Sequence, residues 1–169
     1  MVELLVSIGI VVIVLSITLT RQDSFNGAVL LQSEAFDMAL AIKELQLNSV
    51  SAAGDTTGDF RSTQGVYFDL SATSRGQYIF FRDIVTDNYY DSSTDTQIGT
   101  PGLLDPRFEI KALIPATGSV SGDSISVVFK RPNYDADFYD SANSELSISS
   151  LIIQIGLIGS NPTTCGEAV

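Results

Sequence analysis

The feature that most restricts this chain is its start, "MVELLVSIGIVVIVLSITL", where no charge occurs from Leu4 to Leu19 and Val, Ile and Leu dominate. A helix from Met1 to Thr20 rises about 30 Å at 1.5 Å per residue, which matches the hydrocarbon thickness of a bilayer. A segment this apolar cannot stay in water as one face of a small domain. A secretory signal peptide needs a basic stretch before the apolar run and a small-residue cleavage site after it. Neither is present, because the run leads into "SITLTRQDSF". A plain membrane anchor accounts for everything except Glu3. A carboxylate inside a bilayer costs on the order of 2.5–3.5 kcal/mol, less near the interface, and so it calls for a partner.

The stretch M-V-E-L-L-V-S-I-G-I-V-V resembles the N-terminus of type IV pilins and pseudopilins, whose processed chains typically begin Phe-Thr-x-x-Glu ahead of a long apolar helix. The resemblance implies a leader removed by a prepilin peptidase, a methylated new amine, and a glutamate that pairs with the N-terminal amine of a neighbouring subunit. Glu3 matches that glutamate. Met1 then matches the third mature position, so the leader and the Phe-Thr pair are expected upstream of it. With Glu3, the resemblance implies an assembly surface of Leu4, Leu5, Ile8, Ile10, Val12 and Leu15.

Downstream, "TLTRQDSFNG" collects residues of weak helix propensity and an Asn-Gly turn signal, which predicts a break, an extended or melted stretch, near Thr20–Gly27. From Ala28 to Val50 the periodicity is again helical. Leu31, Ala35, Met38, Ile42 and Leu45 recur at three- and four-residue steps and predict one face packed on a sheet. Leu30, Phe36 and Leu40 widen the apolar area. After a Gly-punctuated loop, "SAAGDTTGDFRSTQG", strands are predicted at "GVYFDL" and "QYIFFRD" as a hairpin around "SATSRG". Further strands are predicted at Phe108–Ile114, Asp123–Lys130 and Glu145–Ile158, the last divided at Ser149–Ser150 or continuous. The expected fold class is α+β: a long N-terminal helix packed on an antiparallel sheet of five to seven strands. The expected organisation is an apolar membrane or filament-core helix at 1–19, a linker at 20–27, an amphipathic helix at 28–50 and a β-rich globular head at 51–169. The end of the helix, the β-dominated second half and "VFKRPN" are similar, more weakly, to pseudopilins of the GspH/FimT type.

Composition then removes whole classes of function. The chain has no His and one Cys, Cys165, so it can form neither an intramolecular disulfide nor a Cys/His zinc site, a Ser-His-Asp triad or a Cys-His dyad. No base stands near Cys165 in the sequence to activate it. Nine Lys and Arg against 20 Asp and Glu give a net charge of −11, which opposes binding to a phosphate backbone, so nucleic acid is not an expected partner. Two acidic stretches carry the remaining site candidates. "RDIVTDNYYDSSTDTQ" places Asp83, Asp87, Asp91 and Asp95 at four-residue intervals with Asn88 beside them, oxygen donors of the kind calcium prefers. The order is not that of an EF-hand and the loop lacks its turn glycine, so a solvated loop is the plainer reading and calcium the alternative. "RPNYDADFYD", with Asp135, Asp137 and Asp140, reads as a turn. Tyr89, Tyr90, Tyr134 and Tyr139 read as packing over a sheet edge, with an adhesive surface as the alternative. No pair of carboxylates is set in contrasting environments, so an enzyme is not expected, and no cofactor other than the alternative calcium is implied.

The function expected from the resemblance is a structural subunit of a type IV pilus. It would reside in the cytoplasmic membrane before assembly and in an extracellular filament afterwards. Its partners would be identical or related subunits, the prepilin peptidase and the assembly machinery. A minor pseudopilin of a type II secretion system and a membrane-anchored binding domain that never polymerises are the alternatives.

Overall fold

The computed structural model describes residues 2–51, 63–118, 120–130 and 135–160, with the side chains of Leu5 and of residues 18–25 outside that set. Residues 52–62 of the expected loop at 51–65, Tyr134 and Cys165 therefore lie outside the described residues, while 63–65 of that loop are strand. Two compact units divide the chain, Met1–Phe36 and Asp37–Val169.

The fold is α+β. Helix α1 covers Val2–Val50, and its backbone is helical through Thr20–Gly27, where the sequence predicts a break. The physical reason is the balance of small terms. Weak formers and one glycine cost at most about 1 kcal/mol each, and a helix already nucleated on both sides propagates through them. The helix closes where the Ser51 N–H bonds the Leu47 carbonyl at 2.8 Å.

In the second unit, Met38, Leu45 and Ser49 are buried on one stripe of α1, with Ile42 half-buried between them. Spacings of three, four and seven residues return to the same side of a 3.6-residue helix, and this side meets the sheet core. The expected stripe holds in this part. Of its upstream members, Leu31 is half-buried and Ala35 is exposed.

Nine strands are found among the described residues: β1 Thr63–Asp69, β2 Gln77–Asp83, β3 Thr96–Gln97, β4 Gly102–Leu103, β5 Phe108–Pro115, β6 Ser124–Phe129, β7 Ala136–Asp140, β8 Glu145–Leu146 and β9 Leu151–Leu157. They form two antiparallel assemblies rather than one sheet. The larger has the order β3-β2-β1-β6-β7-β8, with β4 also on β2, and the smaller is a β5-β9 ribbon. The stretch Glu145–Ile158 divides, as one of the two sequence readings allowed. The Asp135–Asp140 turn is a correction, because Asp137 and Asp140 belong to strand β7. Phe138 goes into the core, and the buried Asp140 carboxylate accepts the N–H groups of Ala142 and Ser144, both at 3.0 Å, to shape the β7–β8 turn.

Alternation on β1 shows how the larger sheet is covered on both faces. Val66 and Phe68 join Ile125, Val127, Phe129 and Phe138 in the core that includes Met38 and Leu45. The same core takes Ile110 and Leu113 from β5 and half-buried Ile153 and Ile155 from β9. On the opposite face Tyr67 packs with Phe81, Val128 and Tyr139 under Tyr89 and Tyr90. All six residues of the central strand β6 are buried in consequence, the pattern of a strand with no solvated side. Gly65 is required there: a Cβ would lie 2.7 Å from the Phe81 ring and 2.8 Å from the Val127 carbonyl.

Candidate functional sites

The first candidate is the apolar start of α1. Every large aliphatic described from Val2 to Ile17 is 53–74% exposed. At 100° per residue, Ile8, Val11, Val12 and Leu15 fall on one side and Ile10, Ile13, Val14 and Ile17 on the other. A helix that is apolar all round belongs inside a larger hydrophobic environment, since one packed face would leave the rest in water. Covering a Val, Leu or Ile contributes about 1.5–3 kcal/mol from a fully exposed start, so covering this collar from its half-exposed state is worth on the order of 10 kcal/mol.

The polar groups of the collar are already engaged with its own backbone. The Ser7 hydroxyl donates to the Glu3 carbonyl and the Ser16 hydroxyl to the Val12 carbonyl, each at 2.9 Å. Glu3 stands in the first turn and is exposed, where the positive end of the helix dipole favours a carboxylate. Of the expected assembly residues, Leu4, Ile8, Ile10, Val12 and Leu15 are exposed on this collar, and the side chain of Leu5 lies outside those described. Among the described residues, no helix is long and apolar enough to cross a membrane.

The second candidate, the acidic loop after β2, folds as a set of carboxylate caps. Asp83 is 1% exposed, and its two oxygens accept the N–H groups of Thr86 at 2.6 Å and Asn88 at 2.9 Å. Asp95 accepts the N–H of Ile84 at 3.1 Å and that of Asp91 at 2.9 Å. Asp91 takes the N–H and hydroxyl of Ser93, both at 2.8 Å, and Asp87 the N–H of Tyr89 at 3.3 Å. Asp and Asn side chains do this in turns because a short carboxylate reaches a backbone donor two or three residues on.

The carboxylates of the alternative calcium reading are turned to the loop's own donors. Among the described residues, no group of three or more acidic, His or Cys side chains is placed to hold a metal ion. Asp83, Asp87, Asn88, Asp91 and Asp95 are close in sequence without forming a common donor set. Their electrostatics follow from these bonds. Ser93 holds the Asp91 carboxyl below its ordinary value, while burial, and then the charges of Asp83 and Asp87, raises that of Asp95 against its two backbone bonds.

This capped loop lays its aromatics on the sheet. Tyr89 meets Tyr67 edge-on at 5.7 Å between ring centroids, and Tyr90 lies 5.0 Å from Tyr67 and 5.3 Å from Phe81. The Tyr89 hydroxyl bonds that of Ser124 at 2.7 Å, and the Tyr90 N–H donates to the Ser126 hydroxyl at 3.0 Å. Burial raises the phenol of Tyr67, and that of Tyr90 with help from Asp95 and Asp91. Tyr89 and Tyr90 therefore cover the face of the sheet rather than its edge. Tyr139 is buried on the same side.

A third feature was not marked in the sequence. An open, apolar groove of about 280 Å³ lies in the second unit between α1, the larger sheet and β9. It is lined by residues distant in sequence, among them Ala39, Phe129, Phe138 and Ile153. Only the folded topology brings these side chains together.

Comparison with known proteins gives no match: no family model, curated protein or solved structure is similar to the chain.

Proposed function

We propose that this chain is a structural subunit of a filament of the type IV pilus kind, which polymerises through its N-terminal helix. The observation that carries the reading is the collar of α1, apolar and uncovered on every side, with a single carboxylate in its first turn. A lipid bilayer or a ring of identical helices satisfies the collar equally well. Only the second gives the carboxylate an opposite charge, namely the N-terminal amine of a neighbour. In this reading the subunit waits in the cytoplasmic membrane, leaves it through an assembly machine, and buries its collar among other copies in an extracellular fibre. The chemistry is association rather than catalysis. The acidic globular unit keeps the fibre surface soluble through its net charge.

The test separates insertion from assembly. Glu3→Ala and Glu3→Leu leave the collar apolar, so both variants should still enter the membrane fraction while fibres disappear from electron micrographs. Wild-type fibre yield from either variant would remove Glu3 from assembly, and a membrane-bound chain whose unaltered form yields no fibres would support the membrane-anchored binding domain instead.

A further inference from the structure

Two neighbouring aliphatics on the globular unit are held out into solvent by a loop built to keep them there. Ile84 is 55% and Val85 53% exposed. Buried Asp83, which precedes them, accepts the amides of Thr86 and Asn88, which follow. The Ile84 N–H is held by Asp95. Thr86 and Asn88 adopt φ of 62° and 68°, a conformation costly for a β-branched threonine and sustained here by those bonds. The tip is thus an apolar knob braced by these hydrogen bonds, and Asp87, Asp91 and Asp95 lie on the same loop.

The second unit also carries the open groove lined by Ala39, Ile42, Phe129, Phe138, Leu151 and Ile153, with a volume of about 280 Å³. The seven side-chain carbons of Ile84 and Val85 need about 200 Å³ at protein packing density, so the pair fits. Lys43 lies on the α1 side of the groove, and its ammonium donates to Gln46 Oε1 at 2.7 Å with two further donors to offer. One cation at the groove would complement the acidic loop that carries the knob, and their meeting would bury apolar surface on both sides.

We propose that Ile84 and Val85 of one copy seat in this groove of a second copy, with Lys43 facing the partner's acidic loop. Knob and groove are different patches of the same unit, so each copy both gives and receives. Such a heterologous contact is not self-complementary, and it propagates along a fibre when its rotation does not close a ring. The proposal rests on the filament reading and gives it a contact between globular units that is independent of the apolar helices.

The experiment uses the full-length chain assembled into fibres. Val85→Cys and Ala39→Cys are combined in a Cys165→Ser background, oxidised and run without reductant. The expected result is a ladder of dimers, trimers and higher species, with only monomer from either single cysteine. A Lys43→Glu variant should lower fibre stability to dilution or heat, and Asp87→Lys should restore it in the double variant. Fibres that form without a ladder overturn the contact and leave the filament reading standing. Dimers from Val85→Cys alone would mean a knob-to-knob contact and also overturn it. No fibres from the unaltered chain would overturn both.

Discussion

Replacing Asp83 with alanine tests how the loop after β2 is held. The carboxylate is 1% exposed and accepts two backbone N–H groups, at 2.6 and 2.9 Å. The two donors stand on exposed Thr86 and half-buried Asn88, so water replaces part of the lost acceptor. A fully buried donor left without a partner costs about 1–3 kcal/mol, so with both donors only part-buried Asp83→Ala should destabilise the fold by about 2–3 kcal/mol. At 2–4 °C per kcal/mol for a domain of this size, the midpoint should fall by roughly 4–12 °C. Asp83→Asn keeps one acceptor oxygen and should lose about half as much. Because the chain lacks Trp and Tyr89 and Tyr90 lie on the same loop, thermal unfolding followed by near-ultraviolet circular dichroism reads the loop directly. The rival account is that Asp83 serves a cation. A ligand at 100 times its dissociation constant adds about 2.7 kcal/mol, so calcium would then raise the wild-type midpoint clearly. The reasoning fails if Asp83→Ala stays within about 1 kcal/mol of wild type, or if calcium stabilises wild type and not the variant.

Gly65→Ala should cost about 3 kcal/mol by denaturant titration, because the added Cβ meets a backbone carbonyl at 2.8 Å that cannot swing away. A cost under about 1 kcal/mol would show that strands β1 and β6 are not so closely held. Asp95 gives a pH signature. Its carboxyl is raised in the folded chain, chiefly by burial, so its contribution to stability is complete below the unfolded value and is lost as pH rises through the folded one. Wild type should therefore lose stability relative to Asp95→Asn across the window that opens near pH 3.8 and extends upward. Parallel stability curves for the two proteins would refute the assignment.

What was legible in the sequence is what runs or repeats along it. The β-branched and aromatic run "GVYFDL" placed β1, and the recurrence of Met38, Ile42 and Leu45 placed the buried stripe of α1. The break at Thr20–Gly27 failed because propensity is a small term per residue and cooperative propagation is a large one. Strands β3, β4 and β8 are two residues long and carry no period to read. Strand β7 was hidden by its aspartates: Asp140 reads as a turn residue and acts as one, yet Phe138 two positions earlier is core. The same blindness affected the acidic loop. Asp83, Asp87, Asp91 and Asp95 have the composition of a ligand set, but composition does not say whether a carboxylate oxygen faces a cation or an amide proton. The groove was invisible for a different reason, since Ala39, Phe129 and Ile153 meet only through the topology.

The central claim concerns the collar of α1, and cryo-electron microscopy of fibres shed by cells expressing this chain, joined to mass spectrometry of the same fibres, tests it most directly. The account predicts this chain as the repeating unit, with helices Val2–Ile17 packed along the fibre axis, Glu3 within reach of a neighbour's N-terminal amine, and a methylated residue at that terminus. Fibres built from another protein, with this chain recovered only as single copies in the membrane, would contradict it.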